Sequence, residues 1–266
     1  MLTSEAVDRF LASCRSRNLA PKTVSFYRWA LEPFAQAYPG ELPQSVEELE
    51  RYLGRFRGAA ETLKDRQRAL RRFYRWLASR YGLANPAQAL ERPAAKPILP
   101  KTLSRAQVEA LLGQPLSRRD RAILTVLLDT GIRLGECHSL RREDLRGQTI
   151  LVTGKRGVRE VPISPQAQRA LLGVELPWAG PKGPLTLSGL QQAVAKAMRR
   201  AGLERGGPHT LRHTFARHYI LNGGDAFSLQ RILGHRSIEC TMIYVYMDTR
   251  DMCAQHAKYS LIANLA

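Results

Sequence analysis

Residues 149–163 read TILVTGKRGVREVPI, and they decide between a wholly helical fold and one that contains a sheet. The runs 149–153 and 159–163 contain β-branched residues and flank a turn that contains glycine and lysine. Extended runs on either side of a short glycine-containing turn are typical of a β-hairpin. We therefore predict an antiparallel hairpin at this point of the chain.

Helical periodicity dominates the sequence on both sides of this hairpin. Apolar residues recur every three to four positions, and a capping box (Ser104 and Gln107) opens one of these helices. The predicted helices are 4–17, 21–37, 45–57, 60–81, 104–113, 118–131, 165–173, 188–202, 208–222, 226–234, 238–246 and 249–263. The predicted fold class is mainly α, with a small antiparallel β-hairpin or sheet.

A proline-rich segment, residues 91–100 (ERPAAKPILP), divides the chain. Proline removes a backbone donor and disfavours helix at the preceding residue, so we predict an extended linker here. The chain has 266 residues, a length that suits one large or two small domains. We expect a helical domain at 1–90 and an α-rich domain with the hairpin at 101–266.

The charge balance indicates a polyanionic partner. Lys and Arg number 41 against 23 Asp and Glu, which gives a net charge of +18, and both halves are basic (+7 for 1–100, +11 for 101–266). Nucleic acid and an anionic membrane surface both fit this excess. No stretch approaches the length of a membrane span, and the start lacks a secretion signal, so we expect a cytoplasmic protein. Two basic halves joined by a linker suggest a clamp around a DNA duplex.

The predicted helix 60–81 carries a basic stripe opposite an apolar one. Its cations fall on one side of the helix, where they can face phosphates: Lys64, Arg68, Arg71 and Arg75. A solvated helix face is the alternative interpretation of this stripe. Arg66 does not fit, because it falls among the apolar positions.

Motifs for nucleotide and metal chemistry are absent. Residues 154–156 read GKR, without the hydroxyl residue that Walker A requires after its lysine, and no GxGxxG occurs. His209 and His213 lie four apart, but Arg212 stands between them and would repel a dication. The four cysteines lie far apart, which predicts reduced thiols. We therefore expect no cofactor, neither ATP nor metal.

Five short segments of the second half share an order and spacing that identify a family. They are TGIRLGE (130–136), TGK (153–155), HTLRH (209–213), LGH (233–235) and IY (243–244). Together they resemble the tyrosine recombinase (phage integrase) family, and in size and layout its Xer-type members. The first half resembles the family's core-binding domain, and the second its catalytic domain.

The chemistry of phosphodiester cleavage explains these residue types. Arg133 and Arg212 can bind the phosphate, whose negative charge grows in the transition state. His209 lies on one helix face with Arg212, and His235 can bind the same phosphate or assist proton movement. Tyr244 is the candidate nucleophile, since a phosphotyrosyl bond conserves the energy of the broken linkage. The sequence leaves open whether cations alone or a base such as His209 activates its phenol.

The resemblance implies further roles. It makes Lys155 the general acid for the leaving 5′-hydroxyl, although Arg156 is a second cation beside it. Glu136 is expected to orient Arg133 or another active-site group. Tyr246 competes with Tyr244 as nucleophile, and the nine-residue step from His235 favours Tyr244. His213, His218 and Tyr219 are expected to pack.

The resulting hypothesis is a site-specific DNA recombinase that acts through a 3′-phosphotyrosyl intermediate. The resemblance implies two protomers on one double-stranded recombination site, a tetramer that joins two sites, and a Holliday junction. A nucleoid-associated location follows, and the sequence leaves open whether a partner recombinase or accessory protein takes part. The segment 248–265 either packs on its own core or docks on a neighbouring protomer. The alternatives are a nicking–closing topoisomerase or resolvase, a non-catalytic sequence-specific DNA-binding relative, and an RNA-binding protein.

Overall fold

The chain forms two compact units, Met1–Lys96 and Pro97–Ala266. A computed structural model describes residues 1–56, 60–91, 100–154, 157–180, 183–204, 206–245, 249–262 and 265. The predicted linker spans the boundary between the two units. Its residues 92–99 lie outside the described part of the chain.

The first unit is helical. Its elements are α1 (Thr3–Ser16), α2 (Pro21–Ala37), α3 (Val46–Leu53), α4 (Ala60–Tyr81) and a 3₁₀ turn (Pro86–Gln88). A capping box between Ser45 and Glu48 starts α3. Buried aromatic rings in edge-on contact form much of the core, with Phe34 packing on Tyr52 at 5.1 Å and Phe10 on Phe73 at 5.6 Å.

Arg66 is buried in the core side of α4. Its guanidinium lies 4.0 Å from the centre of the Phe56 ring and 4.7 Å from that of Trp29. One of its nitrogens donates to the carbonyl of Ala30 at 3.3 Å. Ring faces and a carbonyl therefore accommodate this cation at an apolar position of the helix.

The second unit combines helices with two small sheets. Its elements are α5 (Arg105–Gly113), α6 (Arg118–Thr130), α7 (Leu134–His138), a 3₁₀ turn (Arg142–Asp144), β1 (Leu145–Arg146), β2 (Thr149–Gly154), β3 (Gly157–Pro162), α8 (Pro165–Leu172), β4 (Ala179–Gly180), β5 (Gly183–Pro184), α9 (Leu187–Arg200), α10 (Pro208–Leu221), α11 (Ala226–Leu233), α12 (Glu239–Met242) and α13 (Thr249–Tyr259).

The fold class predicted from the sequence is confirmed. Strands β1, β2 and β3 form an antiparallel sheet in that order, and β2 pairs with β3 from Thr149–Pro162 to Gly154–Gly157. The sequence prediction lacked α7, β1 and the β4–β5 pair, and α12 is shorter than the predicted helix 238–246. None of the described helices is long and apolar enough to cross a membrane.

Glycine ends the long apolar helix α6 and turns the chain toward Arg133. Gly131 adopts a left-handed conformation (φ 60°), and a Cβ there would lie 2.4 Å from a ring carbon of Phe215. A side chain at this position would be strained by both the backbone and the ring. The tight turn at Gly131 places the residues after it, including Arg133, beside α10 and α11.

Candidate active site

Arg212 on α10 is a buried cation that joins the ends of two other helices. Its side chain donates to the carbonyl of Gly131 after α6 at 2.6 Å and to that of Leu233 at the end of α11 at 2.8 Å. The residue is only 5% exposed. Burial, with the nearby Arg133 guanidinium, lowers its pKa to about 10, so it stays charged at neutral pH.

Glu136 on α7 lies between two arginines. Its carboxylate accepts from the backbone and guanidinium of Arg133 at 2.8 and 3.0 Å, and from both terminal nitrogens of Arg159 at 3.0 and 2.9 Å. Burial alone would raise the pKa of this carboxyl, but the Arg159 and Arg133 hydrogen bonds hold it below its ordinary value. Glu136 contacts Arg133 directly, which an orienting group must do. Its role in orienting Arg133 stays a prediction.

Arg159 is a site residue that the sequence analysis missed. It lies on β3, pairs with Glu136, and its Nε donates to the carbonyl of Ile232 at 2.9 Å. It packs on Gly234, where a Cβ would approach its guanidinium to 3.1 Å. The available signal was strand alternation, because Arg159 shares a strand face with the buried Val161. Arg159 therefore connects the β-hairpin to the end of α11.

Tyr244 contacts two histidine rings. Its hydroxyl is 2.7 Å from Nδ1 of His213, and its ring centre is 5.7 Å from that of His213 and 6.3 Å from the stacked ring of His235. It is 3% exposed. Burial raises the pKa of its phenol; Arg212 opposes that rise and Cys240 adds to it.

The two histidines of α10 differ in their surroundings. His209, the base suggested by the sequence, is exposed, and its ring centre lies 6.4 Å from that of His213. His213 is half-buried, and its ring packs on Tyr244 and also hydrogen-bonds the phenol. Burial, His209 and Arg212 lower the pKa of His213. The i, i+4 spacing of the two histidines was a signal that both face the same side of the helix.

His235 follows the end of α11. Its Nδ1 lies 2.8 Å from the hydroxyl of Thr241 on α12, and the side chain is half-buried. This contact fixes the ring over Tyr244. His235 also lines the cleft described next.

A cationic cleft of about 880 Å³ lies beside this cluster. Its lining combines backbone glycines with Arg133, Arg159, Arg231, Arg236 and His235, and Glu136 is its single carboxylate among the described residues. Among those residues, neither Tyr244 nor Arg212 lines it. The cleft has the size and charge to hold a phosphodiester.

Three candidate residues cannot be placed, because Lys155, Arg156 and Tyr246 lie outside the described part of the chain. Within the described ranges, no group of three or more His, Cys, Asp or Glu side chains could hold a metal ion.

The predicted basic stripe of α4 has two kinds of member. Arg68 and Arg75 are exposed, and Arg68 pairs with Asp65 at 3.0 Å. Arg71 is half-buried and donates to the carbonyl of Leu90. Lys64 is also half-buried. Arg71 therefore has a structural contact within the first unit, and DNA binding by all four stays a prediction.

Sequence comparisons connect the chain to enzymes of known class. Residues 101–250 match the sequence model of the phage integrase family. The chain is 35% identical to the tyrosine recombinase XerC of Erythrobacter litoralis over 94% of its own length and 90% of that protein. It is 29% identical to the tyrosine recombinase XerD of Ralstonia nicotianae, over 97% and 94% of the two chains.

Solved structures share the fold. The XerH site-specific recombinase, bound to a palindromic difH substrate after cleavage, superposes with a TM-score of 0.75 at 21% identity, over 96% of this chain and 84% of that one. A lambda integrase dimer bound to a COC′ core site gives 0.78 at 19% identity, over 93% and 96%. These comparisons do not favour the nicking–closing enzyme or the non-catalytic DNA-binding protein.

Proposed function

The chain belongs to the phage integrase family and is a tyrosine-type site-specific DNA recombinase, and from this premise we propose how its residues cleave and rejoin DNA. Arg133 and Arg212 bind the scissile phosphate, His209 and His235 complete its hydrogen bonding, and Tyr244 attacks it. The enzyme acts without ATP or metal, since the phosphotyrosyl bond retains the energy of the cleaved linkage.

Convergence of distant segments is the observation that carries this proposal. The end of α6, the hairpin, α10, the end of α11 and α12 bring together Arg133, Arg159, Arg212, His235 and Tyr244. The order of these segments matches the five sequence motifs. A structural role alone does not require three arginines this close together, with Arg133 and Arg159 near Arg212.

Charge supports the same conclusion. Glu136 is shared by two guanidiniums, and the Arg212 guanidinium is held by two carbonyls. This cluster has more positive than negative charge, so an anion entering the cleft is stabilised. A phosphate whose charge grows in the transition state matches this requirement.

The chemical step transfers the phosphate from one oxygen to another. The Tyr244 oxygen forms a bond to phosphorus, the bond to the 5′ oxygen breaks, and the 3′ end stays attached to the tyrosine. Lys155, with Arg156 as the alternative cation, supplies the proton of the leaving 5′-hydroxyl. Attack by a second 5′-hydroxyl reverses the step and rejoins the strands.

DNA binding is assigned to both units. Residues 1–90 form the core-binding domain, with Lys64, Arg68, Arg71 and Arg75 at the phosphate backbone, residues 91–100 are the linker, and 101–266 form the catalytic domain. Their net charges of +7 and +11 (the linker counted with the first half) support contact of both with one duplex, in the manner of a clamp. The DNA recombination site would place the protein on the nucleoid in the cytoplasm.

Assembly on DNA is proposed to use the C-terminal segment. The Tyr259 hydroxyl lies near Gly223 of the same chain, but Leu261 and Ile262 are 73% and 75% exposed. We assign these apolar side chains to a neighbouring protomer in a dimer on one site and a tetramer that joins two. Deletion from residue 249 should abolish tetramers on DNA, and tetramers that persist would refute this docking.

Covalent capture tests the function. The protein is incubated with fragmented DNA of its source organism and denatured in SDS, and the ends of protein-linked fragments are sequenced. We expect adducts at a recurrent, partly palindromic sequence, lost in Tyr244→Phe and retained in Tyr246→Phe. Loss only in Tyr246→Phe would move the nucleophile, and no adduct with the wild-type protein would overturn the proposed function.

A further inference from the structure

His213 hydrogen-bonds the hydroxyl of Tyr244, the proposed nucleophile. Its Nδ1 lies 2.7 Å from the Tyr244 hydroxyl, a strong hydrogen-bond distance, and the phenol is buried. A general base must lie within hydrogen-bond reach of the proton that it removes. Of the two α10 histidines that flank Arg212, this contact singles out His213.

We propose that His213 is the general base of the cleavage step and accepts the phenolic proton as Tyr244 attacks the phosphate. This inference rests on the proposed function, since it concerns the same reaction. It replaces His209, which the sequence suggested as the base, and leaves His209 free to bind the phosphate.

The cleavage step moves one proton from Tyr244 to His213 and one from the general acid to the 5′ oxygen. Neutral His213, with its ring proton on Nε2, accepts the Tyr244 proton at Nδ1 and becomes an imidazolium. The electron pair of the O–H bond stays on the phenolic oxygen, which forms the bond to phosphorus. The P–O5′ bond breaks, and the general acid supplies a proton to the 5′ oxygen. In the rejoining step, the imidazolium returns its proton to the departing tyrosine.

The surroundings keep His213 available as an acceptor. On its own helix it faces His209 and Arg212, and burial together with these two groups lowers its pKa, so it is neutral at pH 7. It also faces Tyr244, whose ring stacks on that of His235. Among the described residues, Cys240 on α12 and Arg217, which donates to the Tyr244 carbonyl, are further titratable and charged groups near the pair.

Binding of the phosphate favours proton transfer from Tyr244 to His213. Without DNA, the raised pKa of Tyr244 and the lowered pKa of His213 keep the proton on the phenol. A bound phosphate adds negative charge beside the imidazole and favours its protonated form. Proton transfer is therefore coupled to binding of the substrate.

The test uses a synthetic nicked duplex that carries the sequence recovered by covalent capture. Adduct formation is measured under single-turnover conditions from pH 5.5 to 9.5 for the wild type, His213→Asn and His218→Asn. Asparagine places a polar atom near the position of Nδ1 but is not a base. His218 is a matched control on the same helix, because its ring contacts the Leu103 carbonyl rather than the site.

We expect His213→Asn to reduce the rate at pH 7 by about 100-fold, the lower range for loss of a general base. The wild-type rate of adduct formation should be independent of pH above neutrality, because His213 is then already unprotonated. The His213→Asn rate should keep rising, because the phenol must then lose its proton to hydroxide. His218→Asn should retain the wild-type profile, and melting temperatures confirm that each variant is folded.

Three results would contradict the proposal, and each would have a different meaning. If the wild type forms the adduct and His213→Asn shows the same pH–rate profile, His213 is not the general base, and the proposed recombinase function stands. A faster His213→Asn enzyme would mean that the contact only restrains Tyr244. No wild-type adduct would overturn the proposed function and this inference with it.

A second measurement, made without DNA, does not depend on whether His213→Asn folds. In the ¹⁵N spectrum of labelled wild-type protein, His213 should show an unprotonated Nδ1 and a protonated Nε2 at pH 7. Tyr244→Phe should shift the Nδ1 resonance. A protonated Nδ1 at pH 7 would exclude His213 as the acceptor.

Discussion

Two arginines buried in different units, Arg66 and Arg212, show how the same side chain serves two purposes. Arg66 lies against the rings of Phe56 and Trp29 and donates to one carbonyl. Arg212 donates to two carbonyls, forms no ion pair with a carboxylate among the described residues, and lies near Arg133.

The difference lies in what surrounds the charge. Around Arg66, two aromatic faces attract the cation and one carbonyl accepts from it, while its buried Nε has no hydrogen-bond partner among the described residues. Around Arg212, the Arg133 and Arg159 guanidiniums repel the cation and the Glu136 carboxylate attracts it. Within the described part of the chain, the two arginines therefore differ in that only Arg212 has other cations beside it, which is the arrangement that our proposed phosphate site requires.

Of the substitutions that test this comparison, Arg212→Lys should have the largest effect. An ammonium cannot donate to both carbonyls and to a phosphate in the fork geometry of a guanidinium, so we expect adduct formation to fall by roughly 10²–10³-fold. Single-turnover capture measures this rate. Arg66→Lys is the control, and an equal loss there would remove the distinction between the two arginines.

Glu136→Gln tests how the cluster tolerates its positive charge. Leaving Arg133 and Arg159 without their carboxylate should destabilise the second unit by about 3 kcal/mol at pH 7. Because the pKa of Glu136 is lower folded than unfolded, its stabilisation is present above the unfolded value and lost as pH falls through the folded one. Urea unfolding from pH 7 to 3 should therefore show a weaker acid dependence in the variant. An unchanged dependence would assign the acid sensitivity to other carboxyls.

Comparing Gly234→Ala with Gly147→Ala distinguishes the effect of backbone strain from the effect of displacing Arg159. Both glycines have φ near 60°, so each alanine should cost about 1 kcal/mol of stability. Only Gly234 has a guanidinium at 3.1 Å, whereas nothing lies within 4 Å at Gly147. We expect a reduced adduct rate in Gly234→Ala alone. Equal rates would show that Arg159 adjusts without consequence.

Arg66→Met should have the smallest effect. An apolar chain of similar length replaces the ring contacts, while one hydrogen bond is lost, so a change of about 1 kcal/mol or less in unfolding free energy is expected. The adduct rate should not change. A large loss of stability would mean that the cation itself holds α2 and α4 together.

Periodicity and motif spacing were sufficient for most of the fold and for the main candidates. The helices and the β2–β3 hairpin follow from local patterns, and Arg133, Arg212 and Tyr244 follow from motif order. The roles of His213, Arg159 and Arg66 could not be read locally, because their partners lie 31, 23 and 36 residues away. Helix α7 has five residues and β1 has two, too few for a periodic signal.

The carbonyl contacts of Arg212 also bear on when the chain becomes able to cut. Gly131 lies 81 residues before Arg212 and Leu233 lies 21 after it, so the cation reaches its position only once three helices have docked. A chain still emerging from the ribosome has made α6 and not yet α11, and it contains no assembled cutting centre. The same holds for a molecule whose α11 has locally opened. An incompletely folded or locally opened copy of the protein therefore lacks the Arg212 arrangement on which the proposed cleavage depends.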